Sequence, residues 1–189
     1  ADSVWLHTDG GVPGSRVTQP EPYWSVYVPT FVAPFFAAMG ANRAVLLVPA
    51  LICLLTTAAL TGFWVWALSG GAVLPTCTAL AATAFGRVLL RTVNGLSDIY
   101  LTTAILACCS VLAVAVVRQR LSIFMAAGVL CGIAIGIKPS GILLIGLVPA
   151  YLAARKFSLK ALLQSVLFAA SSLMALTPYI YYNYRAFGT

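Results

Sequence analysis

Long apolar segments separated by short polar turns are the feature of this sequence that most limits its possible folds. The chain has 189 residues, of which 61% are hydrophobic and only 8% are charged. A water-soluble domain of this length needs far more polar surface, whereas a helix that crosses a bilayer needs ~20 consecutive apolar residues. The sequence therefore predicts an all-α membrane protein built as a polytopic bundle of transmembrane helices.

Six apolar segments are candidates for transmembrane helices, although one of them, 142–154, is short for a span. The six candidates are 44–68, 72–90, 97–117, 121–137, 142–154 and 161–182. A further apolar segment, 25–40, is also short and contains Pro29 and Pro34. Proline disfavours a straight spanning helix, so this segment is predicted as an interfacial or re-entrant helix.

The chain divides into an outer loop with the interfacial helix, residues 1–43, and a transmembrane domain, residues 44–189. Its first 24 residues are polar and loop-like, without the apolar core of a signal peptide. The chain does not begin with Met and ends in NYRAFGT, where another loop is predicted to start. We therefore expect a fragment of a longer protein, with at least one helix before it and several after it.

The charged residues fall into two groups when the six segments alternate across the membrane. The turns at 118–120 and 155–160 carry only positive charge, as cytoplasmic turns do. The opposite, outer face then receives a group of mixed sign: Asp2, Asp9, Arg91, Asp98, Lys138 and Arg185. Charges of mixed sign at the ends of apolar helices are costly to keep there and mark a candidate functional site. The net charge of +7 is thus a topology signal, and no nucleic-acid partner is predicted because no basic stripe contains interleaved aromatic residues.

Two of the outer charges lie where helices begin or end. Asp98 opens the segment 97–117 in the run NGLSDIY, where it can cap the helix, serve as a functional carboxylate, or do both. Lys138 interrupts the apolar run IGIKPSGILLIG. It can extend its ammonium group to the membrane surface, or it can bind phosphate at a broken helix pair.

The remaining candidates are weaker. Arg91 can pair with Asp98 or contact phosphate, and Arg185 can anchor a tyrosine-rich helix end or bind an anion. The N-terminal loop holds the other acid–base groups, which are Asp2, His7, Asp9 and Glu21. The five cysteines lie in apolar segments without metal-ligand spacing, and no second His is present, so neither a metal nor a cofactor is predicted.

Four short motifs occur in an order that resembles a known family. They are QPEPYWSVYVP in the first outer loop, GLSDIY, IGIKPSGILLIG and the final TPYIYYNYRAFGT. This order is similar to that of integral-membrane glycosyltransferases of the C type, in the group that includes dolichyl-phosphate-mannose protein mannosyltransferases and aminoarabinose transferases. The resemblance extends over nearly the whole chain.

The resemblance implies an enzyme of the inner or plasma membrane that acts at its outer face. It would move a sugar from a polyprenyl-phosphate donor to a lipid, glycan or protein acceptor. By the resemblance, Asp2 is the catalytic base, Asp98 is the second catalytic acid, and Lys138 faces the carrier phosphate. The further substrate-binding residues are Arg91, Arg185 and His7. The family often has two adjacent acids in the first loop, whereas Ser3 follows Asp2 here, which leaves Asp9 or an acid before residue 1 as alternatives.

Two other functions compete with this reading. A transporter or flippase also carries charges in its membrane domain, but its substrate site lies near the midplane and not at one face. A noncatalytic scaffold subunit would use the outer charges as structural pairs, so that removing Lys138 or Asp98 would damage folding. The transferase remains the main expectation, because it needs both a carboxylate to accept a proton and a cation to stabilise the departing phosphate.

Overall fold

The computed structural model describes residues 27–40, 45, 47–84 and 97–187. Within these residues the chain forms helices and no strand, so the predicted all-α class is confirmed. The α-helices are α1 (Tyr27–Met39), α2 (Leu47–Leu68), α3 (Val73–Ala84), α4 (Ser97–Arg118), α5 (Leu121–Ile137), α6 (Leu147–Ala154) and α7 (Leu159–Phe187), with a 3-10 helix (Pro139–Gly146) between α5 and α6. The predicted domain boundary at 43/44 lies outside the described residues.

Three of the described helices are long and apolar enough to cross a membrane. They are the segments Leu47–Leu68, Asp98–Arg118 and Leu159–Arg185. Large apolar side chains such as Leu55, Leu173 and Met174 remain exposed on them, which is costly in water and expected in lipid. The chain is therefore a membrane protein by helix length and composition, while α1, α3, α5 and the 139–154 segment are shorter. The count of six spans stays a prediction.

Helices α4 and α5 are antiparallel neighbours. The Cys108 thiol in α4 donates a hydrogen bond of 3.3 Å to the carbonyl oxygen of Ala127 in α5. Asp98 at the start of α4 lies beside Lys138, which directly follows α5. We call the end of the bundle with Asp98 and Lys138 the upper end, and the end with the turn at 118–120 the lower end.

Helices α5 and α7 pack in backbone contact and run parallel. A Cβ atom at Gly128 would overlap the carbonyl oxygen of Phe168 and the hydroxyl of Ser171, and one at Gly132 would overlap the carbonyl oxygen of Ser172. Small residues spaced four apart allow this close approach in membrane helices. Because the contacts advance in the same direction along both helices, α7 starts at the lower end and finishes at the upper end.

Helix α2 is parallel to α4, and α3 returns beside it. The hydroxyl groups of Thr57 and Thr103 are 2.8 Å apart, and the Trp64 indole donates a 2.8 Å hydrogen bond to the Ser110 hydroxyl. The turn at 69–71 therefore lies at the lower end. Its two glycines have φ of 65° and 89°, a left-handed backbone that other residues rarely adopt.

The segment after Lys138 differs from the prediction. We expected one helix over 142–154, whereas helical structure begins at Pro139, with eight residues in the 3-10 form followed by eight in the α form. A 3-10 helix rises ~2.0 Å per residue and an α-helix ~1.5 Å, so these sixteen residues extend ~28 Å. That length is close to the ~30 Å hydrocarbon core of a bilayer. Because a 3-10 helix rises more per residue, this short segment extends farther than it would as an α-helix alone.

Candidate functional site

An ion pair at the upper end joins the two strongest candidates from the sequence. The ammonium nitrogen of Lys138 lies 2.7 Å from Oδ1 of Asp98 and donates a hydrogen bond to it. The side chains remain 47% and 38% exposed, respectively. Antiparallel packing of α4 and α5 brings together two residues that are 40 positions apart in the sequence.

The local sequence explains why a lysine stands at this break between helices. Proline disfavours the α conformation in the residue before it, and Lys138, which precedes Pro139, is extended with φ −154° and ψ 133°. The Lys138 carbonyl oxygen accepts a 2.9 Å hydrogen bond from the Gly141 amide. A Cβ atom at Gly141 would lie 2.6 Å from the carbonyl carbon of Ala134, so the chain turns back tightly against the last turn of α5.

Within the described residues, the charge balance of the upper end depends on this one carboxylate. Asp98 is the only acidic residue after Glu21 in the sequence. A lysine ammonium has three N–H donors, and within the described residues there is no second carboxylate to accept from Lys138. An exposed ion pair in water contributes only ~0–1 kcal/mol, so stability alone is a weak reason for this pair. The arrangement suits an anion that approaches the remaining donors.

A cavity of 380 Å³ borders Asp98 between α2, α3 and α4. Four threonines line it, and these are Thr57, Thr61, Thr83 and Thr102. The hydroxyl of Thr83 donates to the carbonyl oxygen of Ala79 at 2.7 Å, and that of Thr102 donates to the carbonyl oxygen of Asp98 at 2.8 Å. Each hydroxyl has a single hydrogen, so these two groups offer a ligand acceptor lone pairs only. Together with the carboxylate, they favour a ligand with hydroxyl or amino hydrogens.

An apolar groove of 720 Å³ lies between α1, α2, α4 and α5, and the neighbours of the ion pair in the sequence line its upper part. Its upper end is formed by Ile137, which precedes Lys138 in the sequence, and by Tyr100, which is two residues after Asp98. It continues seven residues deeper along each helix, to Leu130 and Ala107, a depth of ~10 Å. Its lining is mostly aliphatic and aromatic, with Cys53, Thr30, Thr56 and Thr103 among the other residues, which suits the hydrocarbon part of a lipid.

Helix α1 closes the upper part of this groove. A Cβ atom at Gly136 of α5 would overlap the Tyr27 ring, and the Tyr27 hydroxyl donates a hydrogen bond to the carbonyl oxygen of Ala175 in α7. The Phe31 ring lies edge-on to Tyr100 with 6.1 Å between their centres. The segment predicted as an interfacial helix is therefore a helix, attached to α4, α5 and α7 at the upper end.

The other predicted site residues divide into two sets. Arg185 is exposed in the last turn of α7, on the upper side. By the register of Gly132 with Ser172, Lys138 is level with Pro178, so Arg185 lies ~10 Å farther along α7. Asp2, His7 and Arg91 lie outside the described residues, and with them the predicted pairing of Arg91 with Asp98. Their roles stay predictions.

Sequence reasoning missed the threonine-lined cavity and the partner of Lys138. A weak signal was present, because two threonine pairs, at 56–57 and 102–103, interrupt otherwise apolar helices. Which hydroxyl faces a cavity depends on how α2, α3 and α4 pack, and periodicity does not give that.

No protein-family model, curated protein or solved structure matches this chain. The part of the chain that the structure describes also contains no group of three or more His, Cys, Asp or Glu side chains that could hold a metal ion. The function is therefore inferred from the geometry of the upper end.

Proposed function

We propose that this chain carries the donor site of a membrane glycosyltransferase, which moves a sugar from a polyprenyl-phosphate donor to a lipid, glycan or protein acceptor at the outer membrane face. The observation that supports this function best is the Asp98–Lys138 pair, in which Asp98 borders a threonine-lined cavity and Lys138 follows Ile137 of an apolar groove.

The three parts of such a donor match three neighbouring features. The hydrocarbon chain fits the groove between α1, α2, α4 and α5, whose walls are apolar. The phosphate binds the ammonium group of Lys138, the residue that follows Ile137 of the groove. The sugar occupies the cavity at Asp98, where threonine and carboxylate oxygens accept hydrogen bonds from its hydroxyl groups.

The proposed reaction uses the ion pair in two steps. The incoming phosphate takes over the Lys138 ammonium and so releases the Asp98 carboxylate to bind a sugar hydroxyl or to accept a proton. The bond between the anomeric carbon and the phosphate oxygen then breaks, and the acceptor's oxygen or nitrogen bonds to that carbon. The acceptor's proton passes to a carboxylate, Asp98 or the predicted base Asp2. Lys138 stabilises the phosphate anion that leaves with the lipid.

The position of the pair also argues against a transporter. Substrate sites of transporters lie near the middle of the bilayer, on interrupted helices. Asp98 lies in the first turn of α4, and Lys138 follows the last residue of α5, so both charges are at helix ends. A ligand held at these helix ends would lie at the membrane surface, where a lipid headgroup and a water-soluble or lipid acceptor can meet.

The test is binding of a short polyprenyl phosphate, such as farnesyl phosphate, to the purified protein in detergent, measured by calorimetry. Lys138→Ala is expected to weaken binding by about 10²-fold, because it removes the cation that contacts the phosphate. Arg120→Ala is the matched control, since it removes one exposed basic side chain at the lower end. It should leave the Kd unchanged.

Transfer itself is then measured with labelled polyprenyl-phosphate sugars. The wild-type protein and Arg120→Ala should release the lipid phosphate, and Lys138→Ala should not, while all three retain the same melting temperature. If Lys138→Ala binds farnesyl phosphate as tightly as the wild type, the donor site is not at this pair. If Lys138→Ala instead fails to fold, the pair is structural, as the scaffold alternative requires.

A further inference from the structure

A second cavity, at the lower end, has a different chemistry. It measures 290 Å³ and lies among the turns that follow α4 and α6 and the first turn of α7. Three cationic side chains line it, Arg155, Lys156 and Lys160, and all three are exposed. They surround a concave pocket, whereas Arg118 and Arg120 in the neighbouring turn do not line it.

The floor of this pocket is a buried amide held in a hydrogen-bonded chain. Gln164, in the second turn of α7, is fully buried. Its Oε1 accepts a 2.6 Å hydrogen bond from the Tyr151 hydroxyl, and its Nε2 donates to Oε1 of Gln119 at 3.3 Å. An amide nitrogen has two hydrogens, and this contact uses one of them. The floor thus presents a positioned polar group below the three cations.

The positive charge of the pocket has no counterpart in the described part of the chain. Asp98 is the only acidic residue that the structure describes, and it pairs with Lys138 at the upper end. Helix α4, with 22 residues, separates the two ends by ~33 Å. At that distance salt screens an exposed charge almost completely, because the Debye length is ~8 Å at physiological ionic strength. An anionic ligand can supply the counter-charge that the described residues lack.

The residues around the pocket place it at the level of lipid headgroups. Phe157 and Leu159 alternate with the cationic residues in the sequence RKFSLK, and they are 73% and 82% exposed. Exposed apolar side chains between cations are typical of a protein surface that inserts among anionic lipids. The pocket also adjoins the ends of α4 and α7, two of the helices that are long enough to cross the membrane.

We propose that this lower pocket binds the phosphate headgroup of an anionic phospholipid from the leaflet that faces the lower end. The cations Arg155, Lys156 and Lys160 would surround the phosphate, and the Gln164 amide would lie below it. The exposed Phe157 and Leu159 side chains would contact its acyl region. This site is independent of the donor site at the upper end, and it would hold a structural or regulatory lipid instead of a substrate.

The experiment is native mass spectrometry of the delipidated protein with phosphatidylglycerol or phosphatidylcholine added. The wild-type protein should retain phosphatidylglycerol preferentially. Lys160→Gln should weaken that binding about fivefold, which is the usual effect of one Lys near an anionic surface, while Arg120→Gln should change it by less than about twofold. Both variants remove one positive charge from the lower end, so they differ only in whether the charge lines the pocket.

Several outcomes would overturn this proposal. If Lys160→Gln and Arg120→Gln weaken phosphatidylglycerol binding equally, the lipid is attracted by the positive charge of the whole lower end and not by the pocket. Equal retention of phosphatidylcholine would exclude an anion site. Inorganic phosphate or glycerol phosphate that displaces phosphatidylglycerol at matched concentration would identify a soluble ligand in place of a lipid. A near-isosteric acidic variant, Gln164→Glu, provides an independent check, since a carboxylate in the floor should expel the lipid and leave the three cations in place.

Discussion

Both ends of the bundle carry lysine or arginine side chains, yet the groups that surround these charges differ. At the upper end one lysine is paired with one carboxylate, the carboxylate borders a threonine-lined cavity, and the residue before the lysine lines an apolar groove. At the lower end three cations surround a pocket whose floor is an amide, without a described acidic residue. By the two proposals, Lys138 exchanges Asp98 for a phosphate at the upper end, whereas the three cations at the lower end bind an anion without a paired carboxylate.

This difference separates a candidate reaction site from a candidate anchoring site. A reaction that transfers a sugar needs a cation, a carboxylate and space for an acceptor in one place. A lipid anchor needs positive charge and exposed apolar side chains at the membrane surface. The comparison therefore predicts that substitutions at the two ends act on different measurements, and that substitutions in the shared helices act on both.

The largest effect is expected for Gly132→Ala, because α5 and α7 connect the two ends. The added Cβ would overlap the carbonyl oxygen of Ser172. Because this oxygen belongs to the backbone of α7, the overlap can be relieved only if the two helices move apart. We expect the free energy of unfolding to fall by about 1–3 kcal/mol or more. Lipid binding at both ends should be lost with it. Gly146→Ala is the control, since no atom lies within 4 Å of the added Cβ there. Thermal unfolding in detergent compares the two; similar melting temperatures would contradict the close packing of α5 and α7.

A charge swap distinguishes a structural pair from a functional one. Asp98→Lys or Lys138→Asp alone places like charges side by side and should cost about 1 kcal/mol, and the double substitution should recover most of that stability. Binding of farnesyl phosphate should stay about 10²-fold weaker in the double variant, because the cation then lies on the wrong side of the pair. A double variant that regains both stability and binding would show that only the pairing matters.

The smallest effect is expected at the threonine-lined cavity. Thr102→Val keeps the side-chain shape and removes one acceptor, which should weaken binding of a polyprenyl-phosphate sugar about fivefold and leave polyprenyl phosphate itself unaffected. Thr177→Val is the matched control, because the Thr177 hydroxyl also donates to a backbone oxygen of its own helix, that of Leu173, at 3.1 Å. Parallel titrations of the two ligands measure the difference. If Thr102→Val weakens the binding of both ligands equally, the sugar does not bind in this cavity.

Helix boundaries could be predicted where charge or proline ends an apolar run. The predicted segments 97–117 and 121–137 agree with α4 and α5 to within a residue. The prediction was less accurate for 142–154, which begins three residues earlier as a 3-10 helix, and for 161–182, which extends to Phe187 through Pro178. Apolar composition gives no sign of a 3-10 helix, since the same residues suit both helix types.

The site could be predicted only in part. Asp98 and Lys138 were identified because each is a charge in an apolar setting, but their contact depends on the packing of α4 against α5. That packing depends on contacts between the two helices, such as the one from the Cys108 thiol to the Ala127 carbonyl oxygen, which the sequence of either helix alone does not give. The Tyr151–Gln164–Gln119 chain was missed for the same reason, because its members lie on three separate elements.

Direct detection of phosphorus near Lys138 tests the central claim. Solid-state NMR can measure the dipolar coupling between the ¹⁵N-labelled lysine ammonium groups and the phosphorus of bound farnesyl phosphate. A charge-assisted contact places the lysine nitrogen within ~3 Å of a phosphate oxygen, well inside the range of this coupling. We predict a coupling that persists when Lys156 and Lys160 are both replaced by Gln and disappears in Lys138→Ala. A coupling that survives in Lys138→Ala, or that vanishes with the two lower-end lysines, would contradict a phosphate site at the upper end.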